Sequence, residues 1–166
     1  MDARTKRGNA VYNAGKAVVL SKLGIRYAPV TLKHVKYDVR YHMTSKQDHD
    51  DAMTSLLSGR CAEELVFGEN YVTTRSTADL RRAHRIACKM TTLYGFSSVL
   101  CPTTLEADRD IRKMIARACA RSKGMLDMVT LKLVANELVS QETLTDVDVL
   151  KILRRLNEAS LYLTMT

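Results

Sequence analysis

The sequence predicts a mainly α (α+β) fold of about six helices with a small β element after the first helix. Three observations predict it. Apolar residues recur at three- and four-residue intervals over most of the chain, the signature of helices that bury one face. Only 2 of the 166 residues are proline, and 46% are hydrophobic against 27% charged, a globular balance and not a disordered one. One stretch, Pro29 to Val39, is instead rich in β-branched and aromatic residues with weak alternation, so one or two short strands are expected there. The length favours one domain over residues 1–166.

Residues 4–23 read as the first helix, striped by Val11, Ala14, Val18, Ala17 and Val19 and stopped by Gly24. The second runs from about Asp48 to Phe67, with Met53, Leu57, Cys61 and Leu65 four apart and Gly68 behind them. The third is expected to start at Ser76, where Ser76-x-x-Asp79 has the form of a capping box. Leu80, Ala83, Ala87, Met90 and Tyr94 stripe it, and Gly95 ends it. After Pro102, residues 107–140 carry a long helical pattern that Gly124 or the pair Val129-Thr130 divides in two. A last helix spans about 146–159, capped by Asp146 and striped by Val149, Ile152, Leu153 and Leu156.

The formal net charge is +8, and its placement is uneven. Residues 1–46 hold ten Lys/Arg against Asp2 and Asp38, which accounts for the whole excess. Such a face suits an anionic surface, an acidic protein or nucleic acid, although a solvated basic face is the plainer reading. A transit-peptide reading is rejected for most of this segment, because its apolar pattern belongs to the fold. No apolar run approaches the roughly 18 residues of a membrane span, so no transmembrane segment is expected. The four cysteines, at 61, 88, 101 and 119, form no C-x-x-C. Cys61, Cys88 and Cys119 fall on apolar helix faces and are expected to pack as small core residues.

Several ordered motifs resemble the peptidase domain of FtsH-type AAA zinc metalloproteases. Ser58-Gly59-Arg60-Cys61-Ala62-Glu63-Glu64-Leu65-Val66-Phe67-Gly68 is similar to that family's G-G-R-A-A-E-E-L-V-F-G. Thr73 and Thr74, then Ala78-Asp79-Leu80-x-x-Ala83, resemble V-T-T-G-A-S-N-D-L-x-x-A. Leu93-Tyr94-Gly95-Phe96-Ser97 resembles E-Y-G-M-S, and Gln141-Glu142-Thr143-Leu144 resembles K-E-T-L. The likeness covers about residues 9–155 and is far more specific than a lone short motif.

The resemblance implies that the first helix should carry H-E-A-G-H. Two His one turn apart would share a helix face and bind zinc, and the Glu would take a proton from the metal-bound water. The matching residues here are Tyr12-Asn13-Ala14-Gly15-Lys16. Tyr12 offers a phenol, a poor zinc ligand beside imidazole. Asn13 has no basic lone pair to act as general base. Lys16 places a cation where a dication would bind. Of the ligands the resemblance implies, only the third, Asp79, matches, and one carboxylate cannot hold zinc. His34, His42, His49 and His84 contain no i, i+4 pair; the alternative is a relocated metal site involving His42 and His49. No catalytic residue, metal or cofactor is therefore expected, and Tyr12, Asn13, Lys16 and Asp79 form a vestigial site. The plain reading of Asp79 is its capping box. A sharper one has Lys16 contact Asp79, its ammonium standing in for the zinc charge.

The interval Asp38 to Gln47 and the stretch after the Tyr94-Gly95 motif are both shorter than the family pattern, and no Walker A motif occurs. The expectation is a non-catalytic structural or accessory subunit of a larger organellar complex, mitochondrial first and chloroplast second. The alternatives are an inactive partner or adaptor of FtsH-type rings, and a basic RNA-contacting subunit such as an organellar ribosomal component. Against the last stand few aromatics for base stacking and no recognised nucleic-acid motif.

Overall fold

The computed structural model describes residues 2–37 and 44–164, with side chains through residue 159. Within them lie six α-helices, two single 3-10 turns and one two-stranded antiparallel ribbon. No described helix is long and apolar enough to cross a membrane.

Helix α1 (Ala3–Lys22) starts at Asp2, whose carboxylate accepts from the Thr5 N–H at 2.8 Å. It does not bury a single stripe. Every residue from Ala10 to Leu20 is buried, Asn13 and Lys16 included, because α2, α4, α5 and α6 all pack around it. A central helix of this kind has no solvent face on which to place its polar residues, so each must find a partner inside.

Helix α2 (Lys46–Phe67) begins two residues earlier than its stripe suggests. Ser45 is the N-cap and Asp48 the N3 residue of a complete capping box. The α1–α2 crossing is unusually close at two glycines. A Cβ on Gly15 would lie 2.3 Å from the Ala62 Cβ and 2.9 Å from the Ser58 carbonyl oxygen, and one on Gly59 would lie 2.6 Å from the Tyr12 ring. The small residues that share the first helix and the Ser58-Gly59 motif are therefore what lets the two helices meet.

Among its described residues, the segment after α1 holds one strand, β1 (Val30–Thr31). Its partner is remote: β2 (Thr143–Leu144), with Val30 opposite Leu144 and Thr31 opposite Thr143. Val30 and Leu144 are both fully buried, which fixes the register of so short a ribbon.

Single turns at Glu69–Tyr71 and Thr74–Ser76 lead into α3 (Thr77–Thr92). The expected Ser76–Asp79 capping box is absent: Ser76 is already in the right-handed helical region and its side chain caps nothing. Asp79 is turned into the protein instead. Helix α4 (Thr104–Met125) opens on a capping box of Thr103 and Glu106. The long helical pattern breaks at Leu126-Asp127, between the two positions expected, because Asp127 caps α5 (Met128–Gln141). Thr145, not Asp146, caps α6 (Asp146–Thr164): its hydroxyl accepts from the Asp148 N–H at 3.2 Å and donates to the Asp148 carboxylate at 2.6 Å.

Candidate vestigial metal site

Tyr12 and Lys16 are four residues apart on α1 and so project from one face. That face looks onto the first turn of α3. The Tyr12 hydroxyl donates to Asp79 Oδ2 at 2.5 Å, and the Lys16 ammonium donates to the same oxygen at 2.6 Å. All three side chains are buried. The ammonium also lies 5.2 Å from the centroid of the Tyr37 ring and 5.6 Å from that of Tyr12, so two π faces share its charge with the carboxylate. Burial first, then the bond to Asp79, holds the Tyr12 phenol far above its ordinary value and keeps it neutral. Burial does the same for Tyr37.

Asn13 does not join this group. Its amide N–H bonds go to the carbonyls of Thr31 and Leu32, at 3.0 and 3.2 Å. It ties β1 to the central helix and presents donors, not a base.

Three further residues support the site; the 58–68 motif contains one of them, Glu63, and no local pattern marks Arg75 or Tyr37. Glu63 is fully buried and accepts from the Thr73 N–H at 3.2 Å, the Thr73 hydroxyl at 2.9 Å and the Arg75 guanidinium at 2.5 Å. Arg75 in turn lies 5.9 Å above the Tyr12 ring. Tyr37 closes the other side, hydrogen-bonded to Ser55 at 3.3 Å. The 58–68 motif, through Glu63, and the Thr73-Thr74 loop are thus one unit, clamped against α1. A cavity of about 730 Å³ lies beside this clamp; Arg4, Arg7, Phe67, Tyr71 and Arg75 line part of it, and Tyr12, Lys16 and Asp79 do not.

Of the two histidines weighed for a relocated metal site, His42 lies outside the described residues. His49 is buried, with Nδ1 2.7 Å from the Ser45 carbonyl oxygen and its ring edge-on to Tyr94 and Phe96. Its ring is committed to packing. Among the described residues no group of three or more His, Cys, Asp or Glu is placed to hold a metal ion.

Residues 36–108 match the model of Peptidase family M41. The chain is 31% identical over 176 residues to the ATP-dependent zinc metalloprotease YME1L of Drosophila melanogaster, an alignment spanning 87% of this chain and 24% of the relative. It is 30% identical over 192 residues to the ATP-dependent zinc metalloprotease FtsH of Pseudothermotoga lettingae, spanning 91% of this chain and 30% of the relative. Identity to the ATP-dependent zinc metalloprotease FTSH 11, chloroplastic/mitochondrial, of Arabidopsis thaliana is 32% over 109 residues, 58% of this chain and 14% of the relative. The chain therefore spans less than a third of the length of these relatives. The 58–68 motif and the buried Asp79 of α3 lie within the matched residues 36–108, and the chain belongs with the FtsH-type, M41 peptidase domains.

Proposed function

We propose that this chain is a non-catalytic peptidase-like domain that serves as a structural or accessory subunit of a larger organellar, mitochondrial assembly. The observation that carries the reading is the single Asp79 oxygen shared by the Lys16 ammonium and the Tyr12 hydroxyl. Both donors come from the two helix positions that the family resemblance assigns to zinc-binding imidazoles. An ammonium 2.6 Å from the carboxylate leaves no room for a dication, and the neutral phenol contributes no anionic ligand. Asn13, beside Tyr12, donates to backbone carbonyls and has no lone pair that takes a proton from water. The donor set does not fit zinc, and no hydrolytic step is derived through one.

With the charge of the metal replaced by that of Lys16, the former site becomes part of the core. It joins α1, α3 and the Thr73–Arg75 loop, and function passes to the outer surface. The organellar setting rests on the relative named chloroplastic/mitochondrial and on the basic first 46 residues.

The test has two arms. Protein from the native source, dialysed and assayed for metal, is expected to carry no stoichiometric zinc and to leave an unfolded protein substrate uncut. Mass spectrometry of what copurifies is expected to return subunits of a large complex. Stoichiometric zinc with peptidase activity overturns the non-catalytic reading, and copurified AAA-bearing ring subunits replace the structural role with that of a ring partner.

A further inference from the structure

Cys61 on α2 and Cys119 on α4 are 58 residues apart, yet their sulfurs lie 3.4 Å from each other, and both are free thiols. None of the hydrogen bonds that hold Tyr12, Lys16 and Asp79 together involves either thiol. Closing from 3.4 Å to a disulfide bond of about 2 Å is a side-chain adjustment for two helices already packed together.

The surroundings divide the pair into unlike partners. The hydrogen bond from the Cys61 thiol, helped by Lys123 and Arg60 and opposed by burial and Glu64, holds the Cys119 thiol below its ordinary value. Donating that bond, together with burial, holds Cys61 well above. Cys119 is the less buried of the two and faces the Lys123 and Arg60 cations, so it is the thiol that meets an oxidant from solvent and attacks as the thiolate. Lys123 is kept in place by Glu64 at 2.6 Å. A cleft of about 230 Å³ lined by Cys61, Glu64, Leu65 and Lys123 reaches the Cys61 side of the pair. The fully buried Ser122 hydroxyl, one turn from Cys119, sits beside the Cys61 thiol.

We propose that Cys61 and Cys119 form a reversible oxidation site for small hydroperoxides, which when closed staples α2 to α4. The Cys119 thiolate attacks one oxygen of the hydroperoxide. An S–O bond forms, the O–O bond breaks, and the leaving oxygen takes up a proton, as water if the oxidant is hydrogen peroxide. The Cys61 sulfur then attacks the Cys119 sulfenic acid. An S–S bond forms, the S–O bond breaks, and the hydroxide leaves as water with the proton that Cys61 gives up. Two thiols and one hydrogen peroxide thus become one disulfide and two waters, and a dithiol reverses the change by thiol–disulfide exchange.

The test treats the reduced full-length chain with one equivalent of hydrogen peroxide. Peptide mapping is expected to recover a Cys61–Cys119 disulfide, with Cys88 and Cys101 still free. The thermal midpoint is expected to rise by roughly 10 °C, as a loop of this length predicts, and to fall back on addition of dithiothreitol. Cys61→Ala is expected to halt the reaction at a Cys119 sulfenic acid that dimedone traps, and Cys101→Ser to change nothing. Recovery of Cys61 and Cys119 as free thiols from the peroxide-treated wild-type chain overturns the proposal, whatever the variants do. So does a disulfide that instead joins Cys101 or Cys88.

Discussion

The Lys16 ammonium rests 2.6 Å from Asp79 Oδ2, with the two side chains only 8% and 12% exposed. Water screens such a pair little, so its value lies less in net attraction than in the penalty for breaking it. Lys16→Met leaves a buried carboxylate with one neutral donor, Tyr12, and Asp79→Asn leaves a buried ammonium between two rings. Each variant is expected to lose about 3–5 kcal/mol. The double variant buries neither charge alone and is expected to lose less than the sum, by an amount on the order of 2 kcal/mol. Urea unfolding of the four proteins at neutral pH measures the cycle. Strict additivity would show that the two charges do not depend on each other.

How far the molecule is legible from its sequence depends on the distance over which each feature is decided. The helices are decided locally, so their stripes and glycine stops locate them within a few residues. The face shared by Tyr12 and Lys16 follows from their spacing alone. Asp79 was harder, since Ser76-x-x-Asp79 satisfies a short-range capping rule. In the fold, two buried donors on α1 claim the carboxylate, and the chain enters α3 without the cap. The partner of β1 was not legible at all: Thr143–Leu144 is too short to show a period, and its pairing spans more than a hundred residues. Glu63–Arg75 and Cys61–Cys119 are likewise tertiary meetings with no local pattern. A single apolar stripe does not describe α1, because neighbouring helices cover every face of it from Ala10 to Leu20.

Acid should act through another buried carboxylate, Asp110 on α4. Its Oδ2 accepts from the Ser97 hydroxyl at 2.5 Å, the Ser98 hydroxyl at 2.7 Å and the Ser98 N–H at 2.8 Å. The Ser97 hydroxyl first, then the two Ser98 groups, lower the carboxyl from 3.8 to about 2. A carboxyl lowered in the folded state stabilises fully above its unfolded value, and that contribution is lost as pH falls towards the folded one. The anchoring of the α3–α4 connector should therefore weaken between roughly pH 4 and pH 2. Urea midpoints of wild type and Asp110→Asn are expected to differ at pH 6 and to converge near pH 2. A difference that stays constant over that range would mean that the charge of Asp110 contributes nothing.

If Tyr12, Lys16 and Asp79 do occupy the ground of a former metal site, two substitutions should return the metal. Both donors now reach one carboxylate oxygen with long side chains. Histidine is shorter than tyrosine or lysine, so Tyr12→His with Lys16→His opens a gap that a zinc ion, with bonds of about 2 Å to nitrogen and oxygen, is suited to fill. Asp79 supplies the third ligand and water the fourth. The double variant is expected to bind one zinc per chain that survives dialysis, and to give with cobalt the visible absorption of a tetrahedral site. Activity is not expected to follow, because Asn13 still spends its amide on Thr31 and Leu32. Adding Asn13→Glu removes that tie between β1 and α1 and is expected to cost about 1–3 kcal/mol through the carbonyls it leaves unpaired. A double variant that folds with native helix content but holds no zinc would show that the three positions never formed one coordination sphere.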